Sequence, residues 1–269
     1  MLPTHVLNIA HRGARSLAPE NTILAAQKGL SLGTDLWELD VAMSNDGEMV
    51  IIHDDTLTRT SNAAERFPNR APWSVSDFSF ADLRSLDFGS WFIQKDPFGQ
   101  IKNGNVSPLE QSHFSNLQIP TLQEALQFTK DNHWKVNIEI KDLTGTAGDS
   151  IICENVSALV REMEMTSSVI ISSFNHQYLR RVKKALPEVQ TAALVDEPAL
   201  DPVSLLKEIG AIAYNPGLEH LDFSQVAAVR QAGYGVNVWT VNDLEIMRKL
   251  ISAGVTGIFT DFPQLFSEI

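Results

Sequence analysis

Short apolar runs rich in β-branched residues alternate with amphipathic helical patterns along most of this chain, and this alternation constrains its fold more than any other feature. Eight runs have the length and composition of strands: 6–10, 36–41, 136–140, 169–173, 192–195, 212–215, 236–240 and 257–260. Helical patterns lie between them, at 20–32, 122–130, 151–163, 177–186, 202–209, 223–231 and 244–251. Eight strand-then-helix units in 269 residues predict an α/β protein with a parallel (β/α)₈ barrel, and a doubly wound open sheet is the alternative.

One further strand-like run interrupts this alternation. Residues 49–53 follow the second strand too closely for a parallel neighbour, which needs a crossover of about a dozen residues. The intervening Asn45-Asp46-Gly47 favours a tight turn, so we expect an antiparallel hairpin strand outside the barrel. The alternation is then lost until about residue 118. We interpret 44–118 as a small insertion after the second barrel strand of a single domain, and we favour a core role over a lid role for most of its aromatic residues.

Charge and hydropathy exclude several classes of partner. The chain has 33 acidic and 21 basic residues, and this net charge of −12 disfavours a nucleic-acid groove or an anionic membrane surface as the main partner. No apolar run approaches about 18 residues, and the first residues lack a signal-peptide pattern, so we expect no transmembrane span and a cytoplasmic protein. Cys153 lies in an apolar helical pattern and is interpreted as a packing residue. The sequence predicts no oligomeric state.

Two carboxylates stand close together in the second predicted strand. Residues two apart in a strand point the same way, so Glu38 and Asp40 share one side. In the third strand Glu139 and Lys141 also share a face. Three inward acidic residues exceed the charge of one lysine, so we favour three ligands to a hard divalent metal such as Mg²⁺ or Ca²⁺, with Lys141 as an anion contact. A structural ion pair between Glu139 and Lys141 is the alternative.

Two histidines end strand-like runs. His11, followed by Arg12, ends the first run, and His53 ends the hairpin run, which returns to the same mouth. Histidine titrates near neutral pH, and the arginine fork matches phosphate or carboxylate. Taken alone, His11 and Arg12 are equally compatible with structural roles, and a lone histidine at the position of His53 is more often a cap or a core residue; the return of His53 to the same mouth as His11 changes that interpretation. A strand parity that points Asn8 and Ala10 inward would send His11 outward unless the strand bends there.

Two further motifs admit simple structural interpretations. Pro19-Glu20-Asn21-Thr22 is interpreted as the opening of the first helix, with proline in a tolerated position and an acidic charge at the positive helix end. Trp239 ends a later strand. It is either a wall for the apolar part of a substrate or a member of an upper core layer.

Taken together, these motifs resemble the glycerophosphodiester phosphodiesterase family, in order and over the whole chain. The resemblance rests on His11-Arg12-Gly13, Pro19-Glu20-Asn21-Thr22, Glu38-Leu39-Asp40-Val41, Asp46-Gly47 with Val50-Ile51-Ile52-His53-Asp54, Thr58-Arg59-Thr60-Ser61, Ile138-Glu139-Ile140-Lys141, Ser172-Ser173-Phe174-Asn175, Trp239-Thr240-Val241-Asn242 and Gly257-Ile258-Phe259-Thr260-Asp261. Each motif alone is weak, but their succession is specific. The resemblance implies a TIM barrel, a divalent metal, two essential histidines and cleavage of glycerophosphodiesters to glycerol 3-phosphate and an alcohol.

Carried over by position, the resemblance also implies a role for each candidate residue. The metal ligands would be Glu38, Asp40 and Glu139, the acid/base pair His11 and His53, and the substrate contacts Arg12 and Lys141, to which we add Trp239. The expected partner is a small glycerophosphodiester whose alcohol stays open. Three rival interpretations remain: a sphingomyelinase D-like or phosphatidylinositol-specific phospholipase, a non-catalytic phosphodiester-binding barrel, and a carboxylate-rich barrel of the enolase type.

Overall fold

The computed structural model describes residues 5–269, and eight of its strands form a closed parallel barrel. The strands are β1 (Leu7–Ala10), β2 (Leu36–Met43), β3 (Met49–Ile51), β4 (Val136–Ile140), β5 (Val169–Ser173), β6 (Gln190–Val195), β7 (Ala213–Pro216), β8 (Gly235–Val238) and β9 (Gly257–Thr260). The hydrogen-bonded order is β1-β9-β8-β7-β6-β5-β4-β2, and a β1–β2 pairing closes the ring. The predicted barrel is therefore confirmed and the open sheet is excluded.

Helices connect the barrel strands on the outside. They are α1 (Ile23–Ser31), α2 (Ala63–Arg66), α3 (Phe80–Arg84), α4 (Ser90–Lys95), α5 (Pro108–Ser112), α6 (Leu122–Asp131), α7 (Ile152–Glu162), α8 (His176–Ala185), α9 (Pro202–Ile209), α10 (Phe223–Gln231) and α11 (Leu244–Ser252). Local sequence fixes their ends. A reciprocal capping box between Thr121 and Glu124 begins α6, and Gly210 ends α9 in a left-handed conformation.

The hairpin after β2 has the predicted geometry. β3 pairs antiparallel with β2, with Val41 opposite Ile51 and Met43 opposite Met49. Gly47 supplies a positive φ of 90° in the turn. The strand ends at Ile51, two residues earlier than the sequence pattern predicts, so His53 lies in the segment that follows β3.

Between β3 and α6 the chain forms the four short helices α2 to α5. Three of its aromatic residues, Trp91, Phe92 and Phe114, are buried in a small hydrophobic cluster shared with Leu17 and Ala18. Other aromatic residues of this segment, such as Phe78 and Phe88, join the main core outside the barrel. The assignment of residues 44–118 as a subdomain of a single catalytic domain stays a prediction.

The side chains of β1 that point into the barrel are not the ones that the sequence predicts. Ile9 packs inside the barrel with Leu36 and Phe259, whereas Ala10 packs outside with Ala26. The alternation that places Ile9 inside therefore also directs His11 toward the interior, without the bend that the prediction required. The error arose because both faces of a strand in a parallel barrel are buried, so apolar alternation does not mark the inner face.

Two expectations concern the ends of the molecule and membranes. The absence of a signal peptide rests partly on residues 1–4, which lie outside the described residues. Along residues 5–269, no helix combines the length and the apolar character that crossing a membrane requires.

The turn after β1 generates a stability prediction. A Cβ added at Gly13 would lie 2.5 Å from the backbone carbonyl carbon of Ala25, and Gly13 has a φ of +80°. Gly33 has a similar φ of +73°, but a Cβ added there would meet nothing within 4 Å. We expect Gly33→Ala to lower the free energy of unfolding by about 1 kcal/mol through φ alone, and Gly13→Ala to lower it by at least about 2 kcal/mol more through the clash. Urea unfolding measures both; equal losses would contradict the close approach.

Candidate active site

Acidic side chains from two neighbouring strands meet at the carboxyl end of the barrel. Asp40 of β2 is in register with Glu139 of β4, and Glu38 lies two residues before Asp40. One oxygen from each of the three carboxylates lies within 4.8 Å of the others. Glu38 and Asp40 are buried, and the side chain of Glu139 is 12% exposed. The structure thus brings together the three residues that the sequence analysis selected as metal ligands.

Within residues 5–269, Glu38 and Asp40 each have one buried oxygen without a hydrogen bond. Glu38 Oε2 accepts a 2.8 Å hydrogen bond from the Arg12 backbone N–H, and Oε1 has no such partner in this range. Asp40 Oδ2 accepts from the Asn21 side-chain amide at 2.8 Å, and Oδ1 accepts no hydrogen bond from these residues. Buried oxygens without partners are costly unless a ligand satisfies them. An all-oxygen donor set of this kind fits a hard divalent cation such as Mg²⁺ or Ca²⁺.

The protonation equilibria of these groups reflect their crowding. Burial raises the pKa of Glu38 well above its usual value, and the nearby charges of Asp40 and Glu139 raise it further. Burial and Asp40 also raise the pKa of Glu139. For Asp40 the burial effect is outweighed by the cations Arg12 and Lys141, which lower its pKa to about 2. The cations at this mouth therefore stabilise the charged form of Asp40 but do not offset the burial and mutual repulsion of Glu38 and Glu139.

Lys141 follows β4 and supplies one of the balancing charges. Its Nζ lies 2.8 Å from Glu139 Oε1 and 3.6 Å from Asp40 Oδ1. The ion pair with Glu139, which the sequence analysis held as the alternative interpretation, is therefore present. A contact from Lys141 to a substrate anion stays a prediction.

Arg12 supplies the second charge from a strained turn. It has a φ of 55° and is followed by Gly13 in the same left-handed region, and this turn aims its backbone N–H at Glu38. Its side chain donates to Glu20 at 2.9 Å and lies 3.3 Å from Asp40. Arg12 is thus held against the carboxylate cluster from both its backbone and its side chain.

His11 is held by an aspartate from the opposite end of the sequence. Its Nδ1 lies 2.7 Å from Asp261 Oδ1, and Asp261 also accepts from the Asn242 amide at 2.7 Å. Burial and the neighbouring Arg12 lower the pKa of His11 to about 4, although Asp261 acts in the opposite direction. The imidazole is therefore neutral near pH 7, with Nε2 left available.

His53 is held in a similar way by its neighbour in sequence. Its Nδ1 lies 2.7 Å from Asp54 Oδ1. Arg59 donates to both oxygens of Asp54, at 2.6 and 2.8 Å. Burial raises the pKa of Asp54, but the hydrogen bonds from His53 and Arg59 outweigh it and keep the pKa well below its usual value. A carboxylate thus orients each of the two histidines.

The interpretation of Pro19-Glu20-Asn21-Thr22 requires a correction. Helix α1 begins only at Ile23, and Thr22 is its cap, accepting from the Ala25 N–H. Glu20 lies before the helix and contacts Arg12, Arg15 and Arg59 instead of the helix terminus. Asn21 has a φ of 56°. Its side-chain amide donates to Asp40 Oδ2, and its side-chain oxygen accepts from the Asp40 backbone N–H. Capping therefore accounts for Thr22 alone.

A cavity of about 280 Å³ opens at this mouth. It is lined by His11, Arg12, Glu38, His53, Asn137, Glu139, Ser172, Phe174, Leu194, Asp196, Trp239, Thr240 and Phe259. Asp40 and Lys141 are not lining residues, but each contacts one that is. Trp239 donates from Nε1 to the Asn215 carbonyl at 2.8 Å and packs edge-to-face against Phe174 at 5.4 Å between ring centroids. Trp239 thus forms a wall of the cavity and also packs on the barrel interior.

The ion pairs around the cavity form one connected network. Its six carboxylates belong to Glu20, Glu38, Asp40, Asp54, Glu139 and Asp261, and its four cationic side chains to Arg12, Arg15, Arg59 and Lys141. Counted with all six carboxylates ionised and without the histidines, the network has two more negative than positive charges. A divalent cation at the three clustered carboxylates would balance this excess.

Sequence reasoning found several residues that line the mouth but gave the charged residues behind them no role in the site. Glu20, Asp54, Arg59 and Asp261 all lie within the motifs that carry the resemblance. The contact between His11 and Asp261 spans 250 residues and that between Glu20 and Arg59 spans 39, so no local spacing reveals these two pairs. The one feature of the sequence that points to these residues is that they are charged and lie in motifs near predicted strand ends.

Comparison with known proteins agrees with this geometry. A model of the glycerophosphoryl diester phosphodiesterase family matches residues 11–265. The chain belongs to this family. A glycerophosphodiester phosphodiesterase of Caldanaerobacter subterraneus is 35% identical over 96% of this chain and 95% of its own length. A glycerophosphodiester phosphodiesterase of Bacillus subtilis is 30% identical over 99% of this chain and 87% of its own length.

Solved structures of the family share the fold. A phosphodiesterase of Oleispira antarctica in complex with the product sn-glycerol-3-phosphate is 28% identical, with a TM-score of 0.79 over 99% of this chain and 96% of that chain. A glycerophosphodiester phosphodiesterase of Agrobacterium tumefaciens is 26% identical, with a TM-score of 0.75 over 99% of this chain and 100% of that chain. Family membership thus confirms the resemblance inferred from the sequence motifs.

The burial of His11 generates a pH-dependent stability prediction. Its pKa is about 4 in the folded protein, below the ordinary value of 6.5, so between these values the unfolded chain binds more protons. The stability linked to His11 is therefore fully present above about pH 6.5 and declines as the pH falls toward about 4. We expect wild-type protein to lose about 2 kcal/mol more than His11→Asn between about pH 7.5 and about pH 5. Urea unfolding at both pH values measures this; equal losses would contradict the assignment.

Proposed function

We propose that this protein hydrolyses glycerophosphodiesters to glycerol 3-phosphate and an alcohol, with a divalent metal and two histidines acting as general acid and base. The observation that carries the proposal is one cavity lined by both imidazoles and by two of the three clustered carboxylates, Glu38 and Glu139; within residues 5–269, a buried oxygen of Glu38 has no hydrogen-bond partner. The product named for the Oleispira relative, sn-glycerol-3-phosphate, supports the same chemistry for this chain.

The phosphodiester would bind among the positive charges of the mouth. Arg12 lines the cavity, and its guanidinium offers the planar donor geometry that suits phosphate oxygens. We propose that Lys141 turns from Glu139 toward the substrate anion when a cation neutralises the carboxylates. Both side chains would then offset the charge that develops on the phosphoryl oxygens. Trp239 and Phe174 would contact the departing alcohol or the glycerol carbons.

Glu38, Asp40 and Glu139 would hold the metal, either Mg²⁺ or Ca²⁺, since oxygen ligands suit both. When bound, the cation would act as a Lewis acid on a phosphoryl oxygen. The two histidines would move protons through Nε2, because Asp261 and Asp54 occupy their Nδ1 atoms. One imidazole, with Nε2 unprotonated, takes a proton from the attacking hydroxyl, and the other, protonated on both ring nitrogens, gives its Nε2 proton to the leaving alcohol oxygen.

A direct assay tests this function and its metal dependence. The protein is incubated with glycerophosphocholine, glycerophosphoethanolamine and glycerophosphoglycerol, and release of glycerol 3-phosphate is measured. We expect turnover with Mg²⁺ or Ca²⁺, loss of turnover after exhaustive dialysis against EDTA, and recovery when the cation is restored. Full activity in protein shown by elemental analysis to be metal-free would refute the metal role, and no release from any of these diesters would refute the activity.

Variants of the carboxylates test the ligand assignment without activity. Glu38→Gln, Asp40→Asn and Glu139→Gln each remove one charged oxygen donor, so we expect metal affinity to fall by at least about tenfold in each. Isothermal titration with Mg²⁺ and Ca²⁺ measures this. Glu110→Gln, which alters a carboxylate paired with Lys28 far from the cavity, is the control and should bind the cation like wild type. Unchanged affinity in all three variants would remove the assignment.

The histidines are tested by kinetics and stability together. His11→Ala and His53→Ala should each lower kcat by at least about 10²-fold without unfolding the barrel, as expected for general acid/base groups. Thermal unfolding of each variant is the control. A variant that keeps near wild-type turnover but melts several degrees lower would identify its histidine as structural.

The identity of the nucleophile gives a further test. We propose that one histidine deprotonates the substrate's own 2-hydroxyl, because an intramolecular attack benefits from a high effective molarity. This step forms a five-membered cyclic phosphate as the alcohol leaves, and water then opens the ring. A 2-deoxy glycerophosphodiester keeps the phosphate charge and the leaving alcohol, so it should bind as a competitive inhibitor with little turnover. Hydrolysis near the natural rate would show that water attacks directly.

A further inference from the structure

Glu20 is a buried carboxylate to which the proposed reaction assigns no role. Its side chain is 3% exposed and does not line the site cavity. Oε1 accepts from Arg12 at 2.9 Å and from Arg59 at 2.7 Å. Oε2 accepts from Arg59 at 2.8 Å and lies 3.3 Å from a guanidinium nitrogen of Arg15. One carboxylate thus holds three guanidinium groups.

Two of these guanidiniums continue to the histidine pair. Arg59 donates to both oxygens of Asp54, whose Oδ1 lies 2.7 Å from Nδ1 of His53. On the other branch, Arg15 Nε lies 3.5 Å from Oδ1 of Asp261. That oxygen lies 2.7 Å from Nδ1 of His11. The two imidazoles are therefore the ends of one chain of charged contacts with Glu20 at its centre.

Within residues 5–269, Glu20 hydrogen-bonds to neither imidazole. Its side-chain contacts reach the imidazoles only through its guanidinium partners. Without the Glu20 charge, Arg59 would be balanced by Asp54 alone and Arg15 by Asp261 alone. Each guanidinium would draw more strongly on its aspartate, which would then be a weaker acceptor for the imidazole N–H. Both histidines would lose orientation together.

We propose that Glu20 is a positioning residue which, through Arg59 and Arg15, holds the two aspartates that orient the histidine pair. The proposal rests on the proposed function only in taking these imidazoles as the acid and base. The competing role for Glu20 is a buried ion pair that stabilises the fold and has no effect on the histidines.

The imidazole N–H signals separate the two roles without substrate. In the full chain with ¹⁵N-labelled histidine, the Nδ1 protons bonded to Asp261 and Asp54 should resonate downfield. Glu20→Gln keeps the shape and removes the charge, and we expect both resonances to move upfield. Arg59→Met breaks one branch and should move only the His53 signal, whereas Arg15→Met should move only the His11 signal.

Two controls keep this experiment decisive. Glu110→Gln removes a partly exposed ion pair with Lys28 and should leave both resonances unchanged. If Glu20→Gln fails to fold, the two arginine variants still test the branches separately. A folded Glu20→Gln protein with both signals in their wild-type positions would overturn the proposal, as would an arginine variant that leaves its own histidine unaffected.

Kinetics provide a second reading. We expect Glu20→Gln to lower kcat by about 10–100-fold with a much smaller change in KM, as for residues that orient catalytic groups indirectly. Glu20→Asp restores the charge and should recover part of kcat. In a His53→Ala or a His11→Ala background, Glu20→Gln should cost less than in wild type, because one of the two groups that it positions is gone; an equal cost in wild type and in both of these backgrounds would indicate a purely structural role. A wild-type protein with no phosphodiesterase activity would refute the proposed function, and the NMR result would still decide the role of Glu20.

Discussion

Repulsion among three buried carboxylates is the constraint on which the mouth of this barrel depends. Glu38, Asp40 and Glu139 lie within 4.8 Å of one another, so their charges cannot be buried unless other groups compensate. The left-handed turn at Arg12 directs a backbone N–H onto Glu38, and Asn21, also in a left-handed conformation, bonds to Asp40 on two sides. Strained backbone at two positions in the first loop is therefore used to satisfy the carboxylates.

The fold was largely predictable because its signals are local and its topology follows general rules. Alternating strand and helix patterns predict a parallel barrel, and the short Asn-Asp-Gly connection allows only a hairpin for β3. In such a barrel the carboxyl ends of all strands meet at one mouth. This rule places Glu38 near Glu139 from the sequence alone. For His53 the hairpin supplies a second step, because it returns the chain to the mouth at which His11 follows β1.

Two kinds of feature could not be predicted: the inner face of β1, and contacts between residues that are far apart in sequence. The inner face of β1 was misassigned because Ile9 and Ala10 are both buried, one inside the barrel and one beneath the helices. Glu20 was interpreted as a helix-end charge because a single sequence cannot show that Arg59, 39 residues away, reaches it. The same reason hides the carboxylate that orients His11: Asp261 is 250 residues away, and only barrel closure between β1 and β9 makes the two residues neighbours.

The charge balance of the network bears on the order of binding under the proposed function. Counted with all six carboxylates ionised and without the histidines, the ion-pair network beside the cavity has two more negative than positive charges. A phosphodiester anion entering that cavity would meet net repulsion, and Lys141 would stay paired with Glu139. A divalent cation held by Glu38, Asp40 and Glu139 would offset this excess and free Lys141 from its pairing with Glu139. Under the proposed function, electrostatics would therefore favour cation binding before substrate binding, and substrate affinity would depend on the metal through these three carboxylates.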